Sequence, residues 1–125
     1  MKAALGQVLA GNRIRIAGAP EGLDARLLAE LAAARSGGVL HLARDDARMA
    51  RLIQQVRFFA PALEVLAFPA WDCLPYDRVS PNGEVVSRRV DALSRLSARR
   101  TGAGRLVVAT VNAAIQRSPP RGAFK

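Results

Sequence analysis

Cysteine and histidine are nearly missing from this chain: Cys73 and His41 stand alone among 125 residues. A single thiol closes no internal disulfide, and one thiol with one imidazole cannot assemble a zinc cluster, so no metal site is expected. Cysteine this sparse fits a reducing compartment. Lysine is also scarce, found at positions 2 and 125, so the basic side chains are nearly all Arg. Long apolar runs are absent. Arg, Asp, Gln or Gly interrupts the hydrophobic residues every few positions, and no stretch approaches the roughly 20 residues that span a bilayer. The opening Met-Lys-Ala-Ala-Leu-Gly-Gln has one charge but no uninterrupted apolar segment leading to a small-residue cleavage site. Export is not expected, nor is a membrane partner, and the expected location is the cytoplasm.

The chain does have enough apolar material, 50% of its residues, to bury the core of one modest domain. Its formal charge is +9, from 19 basic against 10 acidic residues. A basic surface attracts nucleic acid through phosphate contacts and counterion release. The Arg residues are nevertheless scattered, and an Ala-rich, Arg-for-Lys composition is also what coding bias produces. Charge alone leaves a nucleic-acid-binding module open without arguing for a fold.

Periodicity gives the organisation. Residues 13–17 (RIRIA) alternate polar and apolar side chains before Gly18, which predicts a short strand. Leu23, Leu27, Leu28 and Leu31 recur at helical spacing until Ser36-Gly37-Gly38. Val39 to Leu42 predicts a second strand. Asp45 and Asp46 suit a helix amino terminus, and Met49, Leu52, Ile53, Val56 and Phe59 form one stripe that ends before Pro61. Residues 63–68 (LEVLAF) predict a third strand. After a long loop comes an amphipathic helix with inner face Val86, Val90, Leu93 and Leu96, then a fourth strand at 105–110 (RLVVAT) with a short helical turn beyond it. Alternating strands and helices point to an α/β fold, a parallel sheet with helices on both faces. The lobe is expected to fill residues 1–117, with 118–125 a linker or a truncated end.

In such a fold a nucleotide would sit on the loop after the first strand. A phosphate-binding P-loop reads G-x-x-x-x-G-K followed by Ser or Thr. Backbone amides cradle the phosphates, Lys neutralises them and the hydroxyl holds magnesium. Here Ala17 replaces the first glycine, Gly18 falls at a free position, Gly22 is the last glycine, Leu23 replaces Lys and Asp24 replaces the hydroxyl. Asp24 and Glu21 put negative charge where phosphate would sit, so no cofactor is expected. Nor is any catalytic set, since one His without a nucleophile elbow builds no serine-type triad.

The loop and helix at 68–93, FPAWDCLPYDRVSPNGEVVSRRVDAL, hold the sole Trp and Tyr. Pro69, Pro75 and Pro81 stiffen the stretch, and Asp72, Asp77 and Ser80 can bond neighbouring amides. The aromatics could stack bases or anchor a partner beside Arg88 and Arg89. The structural alternative has Trp71, Leu74 and Tyr76 folding back on the sheet edge while Arg88, Arg95 and Arg99 form a solvated helix face.

This stretch, with Trp71, Leu74, Pro75, Tyr76, Asp77, Ser80, Pro81, Ser87, Arg88 and Arg89, followed by VVATVNAAIQR, resembles the amino-terminal region of bacterial transcription-repair coupling factors. The resemblance implies a UvrB-like, RecA-like first lobe whose nucleotide site has decayed, in agreement with the reading of Ala17 to Asp24. It implies a parent that is an ATP-dependent DNA translocase, displacing stalled RNA polymerase and recruiting UvrA for nucleotide excision repair. It also implies that UvrA, RNA polymerase and DNA are met mainly through domains outside this chain. The lobe itself would be non-catalytic. It would support the adjacent UvrA-binding domain and take part in autoinhibition through contacts with the rest of the parent.

Overall fold

The hydrophobic run Leu106-Val107-Val108-Ala109 decides the architecture, because a strand apolar on both faces must be covered on both. In the computed structural model, which describes residues 2–35, 37–71, 82–98, 104–118, 120 and 122, this run is the central strand, and every residue of it is buried. The described elements are α1 (Lys2–Leu9), α2 (Leu23–Ala34), β1 (Val39–Ala43), α3 (Asp46–Phe59), β2 (Glu64–Phe68), α4 (Gly83–Ser97), β3 (Arg105–Thr110) and α5 (Val111–Ile115). The sheet has the order β1-β3-β2 and is parallel throughout. The α/β class with a parallel sheet expected from the alternation is therefore the observed one.

Helices cover the two faces unequally. On one face α2 and α3 build the larger core, in which Ala25, Ala29 and Ala32 meet Met49, Leu52, Ile53, Val56, Leu106 and Val108. Each large apolar side chain sealed there contributes about 1.5–3 kcal/mol by leaving water. The small residues of α2 let its backbone approach closely. A Cβ built on Gly104 would stand 1.9 Å from the Ala32 carbonyl oxygen, so the entry to β3 passes α2 where only glycine fits. On the other face α4 packs over β2, joining Ala92 to Leu66 and Val107, and leaves Leu40 and Leu42 of β1 exposed.

Local chemistry fixes the helix starts. The Asp45 side chain accepts from the Arg48 amide at 2.8 Å, Asn82 from the Glu84 amide at 2.8 Å, and Thr110 Oγ1 from the Ala113 amide at 3.1 Å. Across the sheet, Glu64 and Arg105 are register partners. The Arg105 guanidinium donates through Nε at 3.0 Å and Nη2 at 3.4 Å to the two Glu64 oxygens.

Three expectations need correction. Residues 13–17 are coil, and Ile16 is 47% exposed. A strand apolar on one side still needs a neighbour to pair with, and Gly11 and Gly18, both in the left-handed region, turn the chain at either end of this segment. Phe59 is exposed and stacks edge-on against Phe58 with centroids 5.3 Å apart, while Ala60 and Leu63 close the core in its place. On α4, Val90 and Leu96 are exposed, and the buried positions are Arg89 and Ala92. No helix among the described residues is long and apolar enough to cross a membrane.

Candidate functional site

Two places at the carboxyl ends of the strands carry the chemistry singled out in the sequence. The first is the loop leading into α2. Gly22 caps the helix in the left-handed region, with φ at 97°. The amide of Ala25, one of the donors a phosphate would use at a helix amino terminus, instead donates to Asp24 Oδ1 at 2.9 Å. Asp24 Oδ2 is ion-paired with Arg48 of α3, and Glu21 Oε1 lies 3.4 Å from both Arg48 Nη1 and Arg51 Nη1. The two carboxylates of this loop are thus held by two arginines of the same chain. Leu23 is half-buried and offers no cation. His41 on β1 feels this cluster. Burial is the main cause pushing its pKa down, with the Asp24 charge opposing and the Arg48 charge reinforcing the shift.

The second place is a knot around Arg89, which is only 1% exposed. Its guanidinium carbon lies 4.2 Å from the centroid of the Phe68 ring and 4.4 Å from that of Trp71. Nη1 donates to the Pro69 carbonyl at 2.8 Å, and Nη2 to the Arg117 carbonyl at 3.3 Å and the Ser118 hydroxyl at 3.4 Å. Nε is buried without an acceptor among the described residues. Among the described residues no carboxylate pairs with this cation, and burial holds its pKa below the usual guanidinium value. Trp71 completes the tie. Its amide donates to Gln116 Oε1 at 2.6 Å and its indole Nε1 to the Arg117 carbonyl at 3.4 Å. The stretch after β2, the first half of α4 and the stretch after α5 are therefore held together by one planar cation and its aromatic neighbours.

The two sequence pieces that carried the family resemblance, one around Trp71 and Arg89 and the other ending in Gln116-Arg117, are in direct contact. No family model matches the chain. Individual proteins do. It is 31% identical to the Transcription-repair-coupling factor of Escherichia coli (strain K12) over 96 residues, 77% of this chain and 8% of that protein. Against the factor of the same name from Haemophilus influenzae identity is 30% over 90 residues, 72% of this chain and 8% of that protein. Against that of Rickettsia bellii it is 32% over 74 residues, 59% of this chain. This chain is homologous to part of the transcription-repair-coupling factors. It spans 6 to 8% of the length of these relatives.

Of the signature residues, the structure brings Trp71 and Arg89 together and leaves Ser87 and Arg88 on the exposed side of α4. Leu74, Pro75, Tyr76, Asp77, Ser80 and Pro81 lie outside the described residues, as does Arg99. Arg88 and Arg95 are half-exposed and pair along their own helix with Glu84 and Asp91, as expected for a solvated face. Of the loop residues, Ala17 and Gly18 are exposed, and Gly22 and Asp24 bracket the start of α2. Sequence reasoning missed Arg48 and Arg51, whose role depends on α3 lying beside α2. It also assigned no role to Phe68 and Gln116, although both stood within the stretches 68–93 and 107–117.

Proposed function

We propose that this chain is a non-catalytic α/β lobe, the UvrB-like first lobe of a transcription-coupled DNA repair factor, which supports a neighbouring UvrA-binding domain and contributes to autoinhibition. The observation that supports the non-catalytic part is that Asp24 and Glu21, in the loop read as a degenerate P-loop, are each held by arginine, with Leu23 where such a loop has Lys. A nucleotide there would have to displace two carboxylates and set its own charge beside theirs. The homology to transcription-repair-coupling factors supports the repair role. The supporting role agrees with the Arg89 knot, where signature residues are spent on joining three segments of the chain.

Two measurements test this reading. Titration calorimetry with magnesium-ATP should give no binding heat, and a dissociation constant near 10 µM, about −7 kcal/mol, would overturn it. A UvrA pull-down should retain little of the 125-residue chain and much more of a chain extended by the following domain, because binding energy concentrates in a few clustered residues. Equal retention would mean that the contact surface lies in this lobe. The net charge of +9 favours a second reading, a nucleic-acid-binding module. Affinity for single-stranded DNA that is tight at physiological salt and falls linearly with log salt would establish it.

A further inference from the structure

The sheet ends at β2 with one side unpaired among the described residues, since β2 meets β3 alone. A cleft of about 490 Å³ runs beside it. Val65, Leu66 and Ala67 all line this cleft. Their side chains alternate between faces: Leu66 packs with Ala92 below α4, while Val65 and Ala67 pack on the core beneath α2 and α3. Three consecutive residues of a strand can touch one cavity only where it follows the strand's edge. Both walls are helical. One is formed by Ala50, Ile53, Gln54 and Arg57 of α3 and the other by Arg88, Asp91 and Arg95 of α4, residues that recur every three or four positions and so lie along one side of each helix. The result is a slot floored by unpaired backbone donors and acceptors and roofed by helices on either side, which is the space a further strand would occupy.

The walls differ in chemistry, and this selects the occupant. A strand lying in the slot would send alternate side chains towards α3, where apolar Ala50 and Ile53 share the wall with exposed Gln54 and Arg57, and towards α4, where Arg88 and Arg95 stand against a single lining carboxylate, Asp91. Arg57, at the end of the α3 wall, has no carboxylate within ion-pair distance among the described residues. Arg88 pairs with Glu84 and Arg95 with Asp91 along their own helix, all half-exposed, and Arg95 Nη1 also lies 3.9 Å from Glu64 Oε1 at the start of β2. Such pairs hold weakly and exchange readily for a carboxylate anchored by backbone hydrogen bonds. A second copy of this chain suits the slot poorly, because it carries +9 and its own alternating segment has Arg at 13 and 15. Phosphodiester backbone cannot satisfy a strand edge that offers both N–H and C=O groups.

We propose that the slot between α3 and α4 docks an extended acidic segment of another polypeptide, added to the edge of β2 as a fourth strand, with apolar side chains towards α3 and carboxylates towards Arg88 and Arg95. The slot's chemistry is independent of any role in repair. The probe is a fluorescein-labelled, end-capped peptide of about eight alternating Val and Glu residues, long enough to pair with the five residues of β2. Its anisotropy is followed against the 125-residue chain. Saturable binding is expected that weakens about tenfold or more when Glu is replaced by Lys in the peptide, and as much when alternate peptide nitrogens are methylated on the pairing edge. The double variant Arg88→Glu with Arg95→Glu should weaken binding at least as much, whereas Arg26→Glu on α2 should leave it unchanged. The peptide changes need no altered protein, so they decide the matter even where a variant folds poorly. Absence of saturation up to about 1 mM, or equal binding of the N-methylated peptide, would overturn the proposal. Displacement of the peptide by single-stranded DNA with the same dependence on Arg88 and Arg95 would also overturn it and make the slot a nucleic-acid site.

Discussion

Replacing Arg89 by Ala removes a cation that touches five groups at once, and the loss can be assembled from its contacts. The rings of Phe68 and Trp71, at 4.2 and 4.4 Å, each contribute about 0.5–2 kcal/mol of cation–π attraction. The Pro69 carbonyl, an acceptor at 2.8 Å, would be left without its donor at a cost of about 1–3 kcal/mol, and the longer bond to Arg117 at 3.3 Å would add less. The opposing term is relief from burying a charge with no carboxylate partner among the described residues and with Nε unsatisfied, about 2 kcal/mol once the rings and carbonyls that surround the cation are counted. The balance is a destabilisation of about 3 kcal/mol. With a urea m value of about 1.5 kcal/mol per M, the unfolding midpoint should fall by about 2 M. Arg89→Lys keeps the charge but loses the planar fork and should cost about half as much. Trp71, whose ring lies against the guanidinium, reports the transition by fluorescence, and circular dichroism checks that secondary structure melts with it. An Arg89→Ala protein within about 0.5 kcal/mol of the wild type would refute the knot as a source of stability.

Other outcomes follow from single observations. Gly104→Ala should destabilise by several kcal/mol in urea unfolding, because its Cβ meets the backbone of Ala32 at 1.9 Å, whereas Gly6→Ala, with open space around it in α1, should be neutral or stabilising by up to about 1 kcal/mol. The His41 pKa is lowered in the folded state, so the unfolded chain binds more protons just below the free imidazole value. Stability should therefore be fully present above about pH 6.5 and fall as the pH drops through that value towards the folded pKa. His41→Gln should flatten this part of the thermal-melting profile. Trp71 emission should be blue-shifted and shielded from acrylamide in the wild type and become more accessible in Arg89→Ala. Equal quenching in both would show that the guanidinium does not cover the ring.

Most of the scaffold was legible because period and punctuation agree. The Leu spacing of α2, the Asp45 cap and the Val/Leu runs of β1, β2 and β3 act locally, and each appears within a residue or two of its expected place. The misses share a cause. Residues 13–17 alternate as a strand does, but alternation cannot say whether an edge is available to pair with. On α4 the hydrophobic stripe pointed to Val90 and Leu96, yet the buried place went to Arg89, because two aromatic faces and two carbonyls arriving from distant segments welcome a planar cation. The loop before α2 was legible as lacking the Lys and hydroxyl that a P-loop needs. That Arg48 and Arg51 would close over it was not, since nothing local announces which helix lies beside α2. The two halves of the family signature could be read separately, but their contact through Gln116 and Arg117 exists only in three dimensions.

The strand order has a consequence for how the chain acquires its fold during synthesis. Among the described residues β1 and β2 do not pair with each other; each is hydrogen-bonded to β3, which comes last of the three in sequence. Until the ribosome has released residues 105–110, this three-stranded sheet cannot form, and the helices made earlier must wait with their apolar faces open. Parallel pairing between distant segments is slow to nucleate, since the loop entropy is spent before any ladder forms. Folding is thus gated by one six-residue segment, and a nascent chain halted before Arg105 would hold its helices in water without the strand that joins them.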